Sequence, residues 1–406
     1  MDPLITFAAR ALAAGDPLAA LTHIALRGDP SALALRGIAM AQLGDLVRAR
    51  VLLRDAQRAF APHDRAARAR CAVATAEIAL VSRDLGGLAQ MLDEARTALE
   101  AHGDAVNAAH AGYLDARRLL LIGRLAEAER IIGTLDTEAL PYTSKAGYWL
   151  VAAGIAMRRI QAGPARTALE RAYQAACGTG IPALVAEVER AIHLFAAPAA
   201  HQIGPEGQQP LTLAEVETLL ASDALVIDAC RRTVRAGTLL VPLSGRPVLF
   251  TLVRTLAQAW PEDVARETLL CRTFRARDPD ESYRARLRVE IGRLRKALEP
   301  AAELSATTRG YRLTPRGPGP VVVLVPPVEG RHAGLLALLA DGEAWSSSSL
   351  ALALSVGTRS VQRALEALSQ AGEVESCGRG RACRWMAPNV PGFPTDPLFP
   401  TLSTPS

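Results

Sequence analysis

Residues 281–313, ESYRARLRVEIGRLRKALEPAAELSATTRGYRL, decide how this chain is read. Residues 282–298 carry helical periodicity. On a wheel turning about 100° per residue, Leu287, Ile291, Leu294 and Leu298 share one stripe that must face a core. The opposite face holds Ala285, Arg286, Val289, Gly292, Arg293 and Lys296. Arg284, Arg288 and Arg295 flank it on one side, Glu290 and Ala297 on the other. A face this small and basic fits a DNA major groove about 12 Å wide. Arg286 and Arg293 could donate to guanine O6/N7 or to phosphate, Val289 could meet a thymine methyl, and the flanking arginines suit the backbone. Residues 304–313 read as a hairpin with Arg309 at its tip. A solvated surface helix would carry the same charges, so the surroundings bear on the reading.

Those surroundings resemble a known family. Residues 224–316 are similar to the winged-helix effector domain of OmpR/PhoB-type transcription factors, in which a small sheet precedes three helices and a hairpin. LSGRPVLFTLVRTLA matches the first helix, VARETLLCRTF the second, IGRLRKALEP the recognition helix and SATTRGYRL the hairpin. The preceding ALVIDACRRTVRAGTLLVPLSGRP alternates apolar and polar residues between glycine turns, as strands do. The resemblance implies that Arg286, Val289, Arg293 and Lys296 face the major groove, with Arg284 and Arg288 beside them. It also implies Arg309 at the minor groove and Thr307 and Thr308 on phosphate. The chain departs from the family in two places. Its wing reads Arg309-Gly310-Tyr311 where R-G-x-G-Y is usual, and Phe274 replaces a common Trp. No run of alternating strands and helices precedes the module as a receiver domain would, so control by aspartyl phosphorylation in cis is not expected.

Charge follows the same partition. Residues 224–316 hold 18 Arg and Lys against 10 Asp and Glu, a net +8 within a chain of +5. A basic module between near-neutral neighbours points to a polyanionic partner for that module alone. Arginine number by itself says little, since the chain has 44 Arg and two Lys. Only 4% of residues are aromatic and half are apolar, so the cores must be Leu/Ala/Val packing, as in helical bundles.

Upstream, residues 1–195 contain an internal repeat. Its cleanest copy is SALALRGIAMAQLGDLVRARVLLRDAQRAFAPHD, where Gly37 precedes Gly44-Asp45-Leu46, Ala49, Leu53 and Ala56, and Pro62 closes the unit. This resembles the tetratricopeptide pattern of two antiparallel helices. Turns recur at Gly15-Asp16, Asp84, Gly123 and Gly163. Small residues let helices approach, and Gly-Asp ends one helix while capping the next. Stacked units of this kind form a solenoid. AAPAAHQIGPEGQQP and a short helix, LTLAEVETLLAS, read as a linker segment over 196–223. GPGPVVVLVPP makes 317–328 a second linker, although Val321–Val325 could pair as a strand.

Residues 329–388 read as a second winged helix-turn-helix. Leu350 to Leu354 suit a short packed helix, Ser355-Val356-Gly357 a tight turn, and Thr358 the cap of the next helix. Val361, Leu365 and Leu368 should face inward, leaving Arg359, Ser360, Gln362, Arg363 and Glu366 outward. Gly378-Arg379-Gly380-Arg381 should tip a basic hairpin. A winged helix used for docking or dimerisation is the alternative, given a net charge of −1 over residues 328–406. Cys377 and Cys383 are expected to be small core residues. A Pro-rich tail over 389–406 cannot build a core.

The six cysteines are scattered, with no C-x-x-C, so a cytoplasmic setting is expected. The seven histidines show no H-E-x-x-H or H-x-x-x-H, and no Walker loop or G-x-S-x-G occurs. No catalytic residue, metal or cofactor is therefore expected, and no membrane span. The sequence implies a mainly α chain: a TPR-like α-solenoid followed by two winged helix-turn-helix (α+β) domains. Its expected partners are double-stranded DNA and, through the repeats, a protein or a second copy of itself. The expected function is a bacterial transcriptional regulator. The competing expectation is a repeat-based adaptor whose winged helices serve docking.

Overall fold

The computed structural model describes residues 2–387 except 138–139, 205–206, 244, 275–279, 327–331, 340–342, 379 and 381–382, and the side chain of residue 183. The Pro-rich tail expected at 389–406 lies outside the described residues, as do Arg379 and Arg381. The chain is mainly helical and forms two compact units. One takes residues 1–159, 164–194 and 330–406, the other 160–163 and 195–329.

The first unit is built on a run of helices: α1 (Pro3–Ala13), α2 (Pro17–Ile24), α3 (Pro30–Gln42), α4 (Leu46–Ala59), α5 (Arg65–Val81), α6 (Leu88–Ala101), α7 (Ala105–Leu121), α8 (Leu125–Gly133), α9 (Tyr142–Arg158), α10 (Ala162–Cys177) and α11 (Pro182–Ala196). Aspartates start many of them. Asp2, Asp16, Asp29, Asp45 and Asp104 each accept a hydrogen bond from a first-turn backbone N–H, and proline leads α1, α2 and α3. Each helix from α1 to α8 packs on its successor, and the alternate helices α1, α3, α5, α7 and α9 touch in turn. Gly37 permits one such approach, because a Cβ there would lie 2.7 Å from Leu53 Cγ. Gly163, expected at a turn, sits inside α10. The reversal before it uses Ile160, whose φ is 57°.

The second unit begins with β1 (Ala200–Gly204), β2 (Gly207–Leu211), α12 (Leu213–Ala221), β3 (Leu225–Asp228), β4 (Thr233–Ala236) and β5 (Leu239–Pro242). Then come α13 (Pro247–Ala259), β6 (Val264–Ala265), α14 (Arg266–Phe274), α15 (Glu281–Leu298), β7 (Ala302–Ala306), β8 (Gly310–Pro315) and β9 (Val321–Val325). Six strands form one sheet in the order β2-β1-β9-β3-β4-β5, with β9 parallel to β3 and antiparallel to β1. Both expected linkers therefore contain strands. The physical reason lies in VVVLV, whose five residues are all buried, as a strand covered on both faces requires. Val321, Val323 and Val325 join the core under α13 and α15, while Val322 and Leu324 join a separate core with Ala200, Val216 and Val226. A smaller sheet, β6-β8-β7, pairs Val264 with Tyr311 and Leu304 with Leu313.

The chain then returns to the first unit as α16 (Ala333–Leu339), α17 (Ser347–Leu354), α18 (Thr358–Gln370) and a hairpin of β10 (Glu375–Cys377) with β11 (Arg384–Met386). These elements do not keep a core to themselves. Leu335, Leu339, Trp345, Leu350, Val361 and Leu365 belong to one buried cluster with Leu80, Leu88, Leu92 and Leu114 of the helix run. The expected separation of 329–388 from 1–195 is thus not observed. Among the described residues no helix is long and apolar enough to cross a membrane.

Candidate nucleic-acid interface

Helix α15 starts at Asp280, whose carboxylate accepts from the Tyr283 N–H at 3.1 Å. Its expected apolar stripe is buried: Leu287 and Ile291 are 2% exposed, Leu294 and Leu298 0%. They pack with Leu252 and Leu256 of α13, Leu269 of α14, and Leu304 and Leu313 of the hairpin. That packing fixes which side of α15 is free. Arg284, Arg286, Arg288, Val289, Gly292, Arg293 and Lys296 are all exposed, Val289 at 54%.

The cations on this side differ in their surroundings. Arg284 Nη1 lies 3.6 Å from Glu281, and Arg288 also pairs with Glu281. Arg293 Nη1 donates to Glu290 Oε1 at 2.9 Å. Among the described residues Arg286 has no acidic partner of this kind; its guanidinium rests over the Phe274 ring, 4.7 Å from the centroid, and Phe274 in turn meets Tyr283. Arg295 is structural, since its Nε donates to the Leu304 carbonyl and ties α15 to β7.

The hairpin β7–β8 turns over Thr307-Thr308-Arg309. The Thr307 N–H donates to the Gly310 carbonyl at 3.0 Å, and the Gly310 N–H to the Thr307 hydroxyl at 2.8 Å. Thr307 Oγ1 donates to Asp263 Oδ2 at 2.6 Å, so this hydroxyl is engaged within the protein. Thr308 and Arg309 are exposed, and Arg309 Nη1 is 3.7 Å from Asp263 Oδ1. Arg266 donates to the carbonyls of Thr307 and Thr308 and covers the Tyr311 ring. Gly310 sits where β8 crosses β6, and a Cβ there would lie 1.8 Å from the Val264 carbonyl oxygen. Asp263 and Arg266 were not foreseen from sequence. Their partners lie more than forty positions away, and no local pattern marks them.

On α18, Val361, Leu365 and Leu368 are buried, and Arg359, Ser360, Gln362, Arg363 and Glu366 are exposed. Thr358 is the first helical residue and not the cap, which is Gly357 with no side-chain bond. Ser355 makes the turn with φ 54°. The side of this module away from α18's exposed face grips the α5–α6 corner. The Leu85 N–H donates to Ser349 Oγ at 3.2 Å, Arg83 lies over Trp345, and Asp84 is 3.8 Å from Arg384 and 3.7 Å from Arg50. Cys377 is exposed and Cys383 half-buried, so neither is the core residue expected. Strand register sets Cys377 opposite Arg384.

No protein-family model matches this chain, and neither the curated proteins nor the solved structures contain a significant match to it.

Proposed function

We propose that this chain is a sequence-specific, duplex DNA-binding transcriptional regulator. Helix α15 enters the major groove, the tip at Arg309 approaches the minor groove, and the helix run serves as sensor or protein-interaction module. The observation that carries this reading is the free side of α15: Arg286, Val289, Gly292, Arg293 and Lys296 stand exposed while every large apolar residue of the helix except Val289 is turned inward. Small residues between cations let a helix approach base edges, and phosphate contacts supply most of the affinity. The order of three helices and a hairpin also supports the OmpR/PhoB-type resemblance.

A different role fits the C-terminal helix-turn-helix. Its shared core with the helix run and the bond from Leu85 to Ser349 favour a structural role within the chain. DNA contact through Arg359, Ser360, Gln362 and Arg363 is therefore secondary to that through α15.

Selection of bound duplexes from a random pool by the purified chain tests the proposal. Specific sites should emerge, and affinity should fall with salt as about five or more counterions are released. Recovery of no enriched sequence, together with salt-independent retention, overturns it in favour of the adaptor.

A further inference from the structure

Two side chains of the hairpin tip that could hold a phosphate oxygen, Thr307 and Arg309, already face an anion. Thr307 Oγ1 donates to one oxygen of Asp263 at 2.6 Å, and Arg309 Nη1 stands 3.7 Å from the other. The carboxylate is only 15% exposed, while Arg309 is 68% exposed and can swing away. From the same short segment, Arg266 fastens the carbonyls of Thr307 and Thr308. A hydroxyl donor and a guanidinium converging on two oxygens of one anion is also how proteins grip a nucleic-acid phosphate.

We propose that Asp263 is an internal stand-in for a DNA phosphate: it positions the hairpin tip in the free protein and gives up Arg309 to the backbone when duplex binds. This rests on the DNA-binding reading above. Thr307 stays on Asp263 as part of the tip's scaffold, so Arg309 alone changes partner. Asp263 is thus a positioning residue, and its charge opposes the contact that it prepares. The ion pair must be broken for Arg309 to bind, which weakens association and hides one cation from the salt response.

The test uses the full chain and a fluorescently labelled random-sequence duplex, read by anisotropy across a salt series. Asp263→Asn removes the charge yet keeps an acceptor for Thr307. It should bind about three- to tenfold tighter at low salt, with a salt slope steeper by about one counterion. Asp263→Glu should return the wild-type slope, which a merely structural role would not require. In an Arg309→Ala background the Asn substitution should change nothing. Should the Asn variant melt early, Asp263→Ser carries the same loss of charge. An unchanged slope, or an equal effect with and without Arg309, overturns the proposal while leaving DNA binding intact. A wild-type chain that fails to bind duplex at low salt overturns the DNA-binding reading itself, and this proposal with it.

Discussion

Each cation on α15 has its own electrostatic setting, and the settings rank their expected contributions. Arg284 and Arg288 share Glu281, and Arg293 is held by Glu290, so on the proposed DNA-binding reading each must loosen a carboxylate first. Exposed pairs of this kind are worth about 0–1 kcal/mol, less than a good bidentate contact to guanine. Arg293→Ala should therefore weaken specific binding by about 1–3 kcal/mol and relax one position of the selected site. Competition among single-base variants of that site measures this; a uniform loss across all variants would make Arg293 a phosphate contact. Arg286 is already oriented by Phe274, whose ring lies under its guanidinium. Residue patterns could reveal which side of α15 is free, because 3.6-residue periodicity is local. They could not reveal Asp263 or Gly310, whose importance comes from segments that approach only after folding.

Among the elements, α12 shows how a short helix is started and how acid should loosen it. Thr212 accepts from the Glu215 N–H, and Glu215 accepts from the Thr212 N–H at 2.7 Å, a reciprocal capping box. The Thr212 backbone N–H, and then its hydroxyl, hold the Glu215 carboxyl below its ordinary value of 4.5. A carboxyl depressed on folding stabilises above its unfolded value, and that contribution is lost as pH falls through the lower folded value. Amide exchange at the start of α12 should accelerate relative to the rest of the chain on acidification below that range, and Glu215→Gln should abolish the difference. Identical pH profiles for the two proteins would remove the carboxylate's role. The strand β9 teaches a complementary point about elements. VVVLV between Pro-rich flanks carries no alternation, because both its faces are buried, and it therefore read as a linker with a possible strand. The hairpin β1–β2 was hidden for another reason. GQQPL is polar at the sheet edge, where exposed strands need no apolar pattern.

For the whole molecule, the informative feature is the return of the chain to its first unit after β9. Trp345 is 1% exposed and belongs to the same buried cluster as Leu80, Leu88 and Leu92. Trp345→Ala should cost about 3–5 kcal/mol, as truncation of a buried Trp usually does. The loss should appear in hydrogen exchange of α5 and α6 as well as α17 and α18, since one core serves both. Faster exchange confined to residues 333–387 would mean that the helix-turn-helix opens as a separate unit from the helix run. The shared core also bears on what the C-terminal module can do. Its apolar side is taken up by the α5–α6 corner, while Arg359, Ser360, Gln362 and Arg363 remain at the surface.

Local chemistry determined much of this protein. Aspartate caps, prolines at first turns, the apolar stripe of α15 and the Gly-Asp reversals act over a few residues, so helix identity and the exposed cationic side of α15 were legible in the amino-acid order. Tertiary structure alone decided that Val321–Val325 sits inside a six-stranded sheet between two cores, and that residues 333–387 complete the first unit. It also decided that Asp263 holds the tip of the hairpin. These depend on burial and pairing between segments forty to more than two hundred residues apart, where an apolar run or a lone carboxylate carries no record of the partner it will meet.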